Sequence, residues 1–165
     1  NVEVTETGNA SFTGFGVKKI LQPSKSLPDY NTVSDADVVI MRYAHVLLMI
    51  AEAENEVNGP TEKALKAINA VRTRSHQPAI DGTGLTQAEL RERIRNEWRV
   101  ETCFEGLRYF QLKRWKQLQQ VVDGAVDPAY PSYIKVVRPA FEFFPLPQGE
   151  IDKAHGVLVQ DPNYQ

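Results

Sequence analysis

Cysteine is almost absent from the sequence: Cys103 is the only one in 165 residues. No intrachain disulfide can form and no cysteine cluster can hold a metal. Histidine is nearly as scarce. His45, His76 and His155 lie far apart, and none stands at i, i+4 with another His or with a Cys, so neither a metal nor a cofactor is expected. A basic excess is also missing, because 19 Lys and Arg face 21 Asp and Glu for a formal net charge of −2. A nucleic acid is therefore excluded as the expected partner. There is no run of 18 apolar residues, and the opening Asn-Val-Glu-Val-Thr-Glu lacks the charged and apolar regions of a signal peptide. Gly-rich phosphate loops and Gly-x-Ser-x-Gly elbows are lacking too. The chain starts without Met and reads as a processed product or a cut fragment.

What is present suits a soluble globular domain, with 42% hydrophobic and 24% charged residues. A chain of this size buries about 68–70% of its unfolded surface, so a real core is possible. Residues 1–40 carry turn chemistry, including Gly8, Gly14, Gly16, Pro23 and Pro28, with Phe12, Phe15, Val17 and Ile20 suited to one or two short strands. Asp35 or Asp37 is the expected N-cap of a first helix over about Val38 to Val57. Ala44, Leu47, Leu48 and Ala51 mark one helical face, and Val46, Met49, Ile50, Ala53 and Val57 mark another. A helix apolar on two sides is expected to pack on both. Asn58-Gly59-Pro60 stops it, and a second helix with Ala64, Leu65, Ile68 and Val71 on one stripe follows. The hairpin from Met41 to Arg74, within a region of about 38–75, has the length of one tetratricopeptide unit, and no second copy is present. A lone repeat implies stacking partners elsewhere.

The stretch Thr86 to Trp115 organises the rest, within a helical region of about 86–120. Thr86 and Glu89 form a capping box, and Leu90, Ile94 and Trp98 repeat every four residues. A kink or break is expected at Gly106, because glycine costs about 1 kcal/mol relative to Ala inside a helix. Between Glu89 and Arg114 there are five acids and seven bases. Glu97, Glu101 and Glu105 are spaced by four, which stacks three carboxylates on one helical face, where like charges repel. Arg93 and Arg108 lie on that face, and Arg42, Arg72 and Arg74 are placed to reach it from the hairpin. A glycosidase would use two of these glutamates as acid and base or nucleophile. The arginines favour a structural ion-pair network instead. His45 and Cys103 read as a satisfied core residue and a small buried hydrophobe.

Further on, Asp123 to Ser132 reads as a loop, Tyr133 to Val137 and Ala140 to Phe144 as β-prone edge segments, and Leu158 to Gln165 as a tail without periodicity. Among the aromatic residues near loops, Tyr30, Tyr130 and Tyr133 are the candidates for stacking on a ligand such as a sugar ring, although most such rings serve to cover helices.

Several motifs in order carry a resemblance. The string from Arg42 to Asn55, then Ile68-Asn69-Ala70-Val71-Arg72-Thr73-Arg74, is similar to the C-terminal region of the SusD/RagB family of glycan-binding lipoproteins. Glu97, Arg99, Glu101, Glu105-Gly106, Arg108, Leu112 and Arg114-Trp115 look like that family's Glu-Arg-x-x-Glu, Glu-Gly-x-Arg and Leu-x-Arg-Trp signatures. Phe144-Pro145-Leu146-Pro147-Gln148, Glu150-Ile151 and Gln160-Asp161-Pro162-Asn163-Tyr164 resemble the family's end. This chain departs at His45, where Glu is usual, at Gln111, where Asp is usual, and at Asp161 with Asn163, where Asn and Gly are common.

The resemblance implies the C-terminal part of a longer, largely helical protein with further tetratricopeptide-like units before this region. It implies a non-catalytic nutrient binder, lipid-anchored at the cell surface on the outer membrane. Such a protein caps a TonB-dependent, SusC-like transporter and hands it oligosaccharides or other nutrients; the anchoring Cys is not in this chain. The family's sugar-binding aromatics lie mainly outside this region, so none is transferred. The expected fold is mainly α: a helical domain with a tetratricopeptide-like hairpin, a long kinked helix and short β or loop segments at both ends. The alternatives are a helical-repeat scaffold for protein partners and a glycoside hydrolase.

Overall fold

Ala44, Leu48, Ala51 and Asn55 return to one side of a helix, and in the computed structural model they form the buried seam of α1 (Tyr43–Asn58). The structure describes residues 17, 19, 39–127, 130–138 and 143–164. The expected strands around Phe12, Phe15 and Ile20, and the expected caps Asp35 and Asp37, lie outside the described residues. Helix α1 starts later than the periodicity suggests. Its N-cap is Arg42, whose guanidinium has only donors and so cannot accept from the free N–H groups of the first turn; it donates instead to the glutamates described below.

Gly59, at φ 80°, ends α1 with its N–H on the carbonyl of Asn55, a backbone state that a Cβ would disfavour. Helix α2 (Glu62–Arg74) begins behind the Thr61 N-cap, whose hydroxyl accepts from the N–H of Ala64. Glu54 on α1 gathers Asn58, Thr61 and Lys63 around this turn. Ala64, Ala67, Ile68 and Val71 are the buried positions of α2. The small residues let α1 and α2 approach closely, while Leu48, Ile68 and Val71 fill the seam; full burial of such side chains contributes about 1.5–3 kcal/mol each.

Helix α3 (Gln87–Glu101) has the capping box formed by Thr86 and Glu89. It packs on α1, with Leu90, Ile94 and Trp98 buried. Asn55 and Gln87 tie the two helices at one end: Asn55 Nδ2 donates to the Gln87 carbonyl at 3.0 Å, and Gln87 Nε2 donates to the Asn55 carbonyl at 2.7 Å. Further along, Trp98 Nε1 donates to Glu52 at 3.1 Å. The connection between α2 and α3 is held by Asn69, whose amide pairs with both the N–H and the carbonyl of Ile80.

The second face of α1 differs from the expectation that both sides pack. Val46, Met49 and Ile50 are partly open and Val57 is largely exposed. α2 and α3 pack on the seam of Ala44, Leu48 and Ala51, and this face points elsewhere.

The chain divides into two compact units, which among the described residues run to Arg108 and from Tyr109 onward. After Glu101 the helix stops: Thr102 caps it, Phe104 takes φ 63° and Gly106 φ 75°, and α4 (Arg108–Arg114) begins afresh. The break thus precedes Gly106. Lys116, at φ 54°, makes a second break that the pattern did not reveal, before α5 (Leu118–Val122).

The expected loop from Asp123 to Ser132 is shorter than it reads, because β1 (Val126–Asp127) and β2 (Tyr130–Ile134) pair antiparallel within and beyond it. Ala140 to Glu142 lie outside the described residues. A short α6 (Gln148–Lys153) and a 3-10 turn (Pro162–Tyr164) add order to the last segment. No helix among the described residues is long and apolar enough to cross a membrane.

Candidate functional site

Leu90, Ile94, Glu97, Trp98 and Glu101 occupy one buried face of α3, so the helical period that builds the core also carries two carboxylates into it. Each meets an arginine from the hairpin. Arg72 Nη1 reaches Glu97 Oε2 at 2.6 Å while its Nε donates to the Pro78 carbonyl at 2.9 Å. Arg74 Nη2 reaches Glu101 Oε1 at 2.5 Å, and Arg42 Nη1 pairs with the same oxygen. Arg42 Nη2 also donates to the Glu101 carbonyl at 2.6 Å, satisfying a backbone acceptor at the helix end.

Glu105 stands beyond α3, in the turn that follows it, so the three carboxylates do not form the single helical ladder their spacing suggests. Instead the turn folds Glu105 back onto Arg42, whose Nε and Nη2 approach Oε1 at 3.0 and 2.7 Å. His45 Nε2 lies 2.7 Å from Glu105 Oε2, and Lys19 Nζ lies 2.5 Å from Oε1. Burial by itself would raise the Glu105 carboxyl, but hydrogen bonds from Arg42, Lys19 and His45 outweigh it and hold the group at about 2. His45 is only 2% exposed, with its ring 6.0 Å from that of Trp98.

Of the residues expected in the ion-pair network, Arg42, Arg72, Arg74, Glu97, Glu101 and Glu105 are brought together. Arg108 is not. It sits half-buried at the start of α4 and forms no ion pair among the described residues, because the turn at Phe104 and Gly106 breaks the helical register that would align it with Glu105. Burial, then the nearby charge of Arg99, pushes its guanidinium below the ordinary value. Lys19 is the member that sequence reasoning missed. It comes from a segment without periodicity, and besides Glu105 it serves the carbonyls of Glu101 and Cys103 at 2.6 and 3.1 Å. Cys103 is exposed rather than buried, since it lies in the turn after α3.

Tyr30 lies outside the described residues. Tyr130 and Tyr133 fall on β2, and their side chains are likewise outside the description. A different aromatic set is well placed within the unit from Tyr109 onward. A groove of about 590 Å³ is lined by Tyr109, Leu118, Val122, Phe143, Phe144 and Tyr164, among others, and is almost wholly apolar. Lys113 Nζ sits 5.4, 5.8 and 5.7 Å from the ring centroids of Tyr109, Phe143 and Phe144. The segment bearing the two phenylalanines is pinned by the tail: Tyr164 Oη donates to the Phe143 carbonyl at 2.6 Å. Gln160 pairs with both the N–H and the carbonyl of Leu146. The tail's lack of periodicity concealed this role, because its bonds are made one side chain at a time.

Residues 2–164 match the model of the SusD family. The chain belongs to the SusD family. Two SusD-like proteins of Formosa agariphila are similar to it: one is 31% identical over 143 residues, covering 79% of this chain and 26% of the relative. The other is 36% identical over 125 residues, covering 74% and 23%. Among solved structures, a SusD-like protein from Bacteroides fragilis superposes with a TM-score of 0.65 at 29% identity, covering 77% of this chain and 26% of that one. Surface glycan-binding protein A from Bacteroides thetaiotaomicron gives 0.62 at 29% identity, covering 77% and 25%. The mainly helical fold agrees with these SusD relatives. The chain spans about a quarter of the length of the relatives it matches.

Proposed function

We propose that this chain is the C-terminal region of a non-catalytic, glycan-binding SusD-like protein. It works at the outer-membrane surface, lipid-anchored through a part of the longer protein, and passes oligosaccharides or other nutrients to a TonB-dependent, SusC-like transporter. The observation that carries the reading is the family match over residues 2–164, together with the similarity to a surface glycan-binding protein.

The ion-pair cluster supports a binding role over a hydrolytic one. A glycosidase needs two carboxyl groups facing the substrate, one of them kept protonated near neutral pH by a raised pKa. Here Glu97, Glu101 and Glu105 are each engaged by guanidinium groups, and Glu105 is shifted in the opposite direction. Such an arrangement locks α3 and the following turn against the hairpin. The cluster is an architectural clamp in this reading, with Arg42 at its centre.

The open stripe of Val46, Met49, Ile50 and Val57 on α1 favours a second element of the proposal. A hairpin of repeat length buries its second face only against a neighbour, and a preceding helical repeat of the longer protein supplies one. A scaffold that uses this stripe for a separate protein partner is the competing reading.

Calorimetric titration with an oligosaccharide panel, on this chain and on the form extended to its relatives' length, tests the function. Binding by the extended form without turnover is the expected result. Hydrolysis of any oligosaccharide that disappears in Glu97→Gln or Glu101→Gln would overturn it in favour of a hydrolase. Absence of sugar binding by both forms, with the α1 stripe capturing a purified helical protein, would favour the scaffold.

A further inference from the structure

Asn58-Gly59 is the one Asn-Gly pair in the sequence, and it stands at the junction of α1 and α2. An asparagine followed by glycine is the pair most prone to lose its side-chain amide, because no Cβ shields the glycine nitrogen from the asparagine Cγ. Asn58 is exposed, so water reaches it. The signal that stops α1 is thus also a chemically labile point in the chain.

The folded turn opposes that reaction at both reacting groups. The nucleophile is the Gly59 nitrogen, whose N–H is engaged by the Asn55 carbonyl at 2.9 Å. The electrophile is Asn58 Cγ, and its amide is held one turn back along α1, where Nδ2 donates to Glu54 Oε1 at 2.9 Å. Glu54 is a firm acceptor, since hydrogen bonds from Lys63 and then Asn58 hold its carboxyl below the ordinary value. The Gly59 backbone is fixed from the other side as well, because its carbonyl accepts from the Thr61 N–H at 2.8 Å.

We propose that Asn58 is a latent modification site, kept closed by Glu54 and the Asn55 carbonyl while the turn is intact, and converted to aspartate or isoaspartate when the turn opens. On opening, the Gly59 nitrogen gives up its proton and attacks Asn58 Cγ. The Cγ–Nδ2 bond breaks, Nδ2 leaves as ammonia with a proton replacing the one released, and a cyclic imide remains. Water then opens the imide. Cleavage between Cγ and the Gly59 nitrogen gives aspartate; cleavage at the backbone carbonyl gives isoaspartate, in which the main chain runs through the side chain of residue 58.

Either product undoes what kept the site closed. A carboxylate at position 58 faces Glu54 four residues back, where like charges repel, and it lies at the negative end of the α1 dipole. Isoaspartate also adds a methylene to the backbone, so the Gly59 N–H no longer meets the Asn55 carbonyl. Closure is lost for good, and the hairpin keeps a covalent record of having opened. Helix ends open locally more often than cores, so such a record accumulates without global unfolding.

The test incubates the 165-residue chain at mildly alkaline pH, folded and in guanidinium chloride, and follows residue 58 by peptide mass mapping with isoaspartate-specific methylation. The folded chain should be modified about tenfold more slowly than the unfolded one, the factor that one net hydrogen bond supplies. In the folded Glu54→Ala variant the rate should rise about three- to tenfold above that of the parent. Glu54→Gln keeps an oxygen for Asn58 Nδ2 and should stay near the parent. Asn58→Asp, which mimics the simpler product, should melt at a lower temperature than the parent.

Equal rates in the folded and unfolded parent chain would overturn the proposal, and this comparison stands even where Glu54→Ala does not fold. A folded Glu54→Ala that is modified no faster than the parent would overturn it too, as would Glu54→Gln modified as fast as Glu54→Ala. An Asn58→Asp variant as stable as the parent would remove the lasting consequence that the proposal assigns to the modification.

Discussion

In the unit that ends at Arg108, charged side chains lie inside; in the unit that begins at Tyr109, large aromatic rings lie outside. The first arrangement is stable because, among the described residues, the carboxylates of the cluster meet cations at hydrogen-bonding distance: Glu97 with Arg72, Glu101 with Arg42 and Arg74, and Glu105 with Arg42 and Lys19, with the His45 ring as a further hydrogen-bond partner of Glu105. In the second, the rings of Phe143 and Phe144 stand near Lys113 with much of their surface open. Burying a charge is costly unless it is paired, and exposing a ring forgoes burial energy unless something later covers it. The contrast separates a region whose polar groups hold it together from one whose large apolar groups stay open.

Predictions follow the contrast downward in size. Glu101→Ala removes the acceptor shared by Arg42, which keeps Glu105, and Arg74, which is more than half exposed, so it should destabilise the chain by about 1.5–3 kcal/mol in chemical denaturation. A change within error would dissolve the idea of a clamp. Acid should reveal the same cluster. Glu105 titrates at about 2 in the folded chain against 4.5 ordinarily, so it contributes stability above about 4.5 that is lost as pH falls toward 2. In Glu105→Gln that part of the acid-dependent loss should vanish, which a series of melts across this window will show.

Gln111 sharpens the comparison from the other unit. It is 6% exposed, and neither end of its amide has a hydrogen-bond partner among the described residues. Gln111→Met removes those unsatisfied groups at similar volume and should stabilise by about 1–2 kcal/mol in denaturant midpoints. Phe104→Gly relieves a left-handed backbone at an exposed side chain and should gain about 1 kcal/mol, read as a rise in melting temperature. Smallest of all, Phe144→Ala should alter stability by no more than about 0.5 kcal/mol. A large loss there would mean that the ring is structural after all.

Much of the first unit was legible in the residues. The Thr86 and Glu89 capping box, the stop at Asn58-Gly59 and the buried faces of α2 and α3 depend on neighbours within a turn or two, which a linear pattern records. The start of α1 was read too early, because the apolar residues from Val39 to Met41 continue the pattern outside the helix and remain exposed. Six of the seven residues expected in the ion-pair cluster do meet. Lys19 could not be found, since no spacing rule links it to residues more than 80 positions away. Arg108 forms no ion pair among the described residues, because the helical period does not run through the turn at Phe104 and Gly106.

The second unit was less legible. Helices of seven, five and six residues are too short for a period to declare itself, and the bonds of Gln160 and Tyr164 have no local signature. The motifs were visible as a family resemblance without their physical purpose. Within the structure, the tail motif acquires one: it fixes the backbone that displays Phe143 and Phe144.

Taken alone, the sequence determined the family and the mainly helical class, because each depends on local period, capping chemistry or ordered motifs. Tertiary structure alone decided that Glu105 folds back onto Arg42, that Lys19 and His45 join it, and that the exposed rings border a groove. Those outcomes turn on where distant segments come to lie and on the turn at Phe104 and Gly106. The left-handed backbone there ends the register of α3, so Glu105 leaves the helical face that Glu97 and Glu101 share.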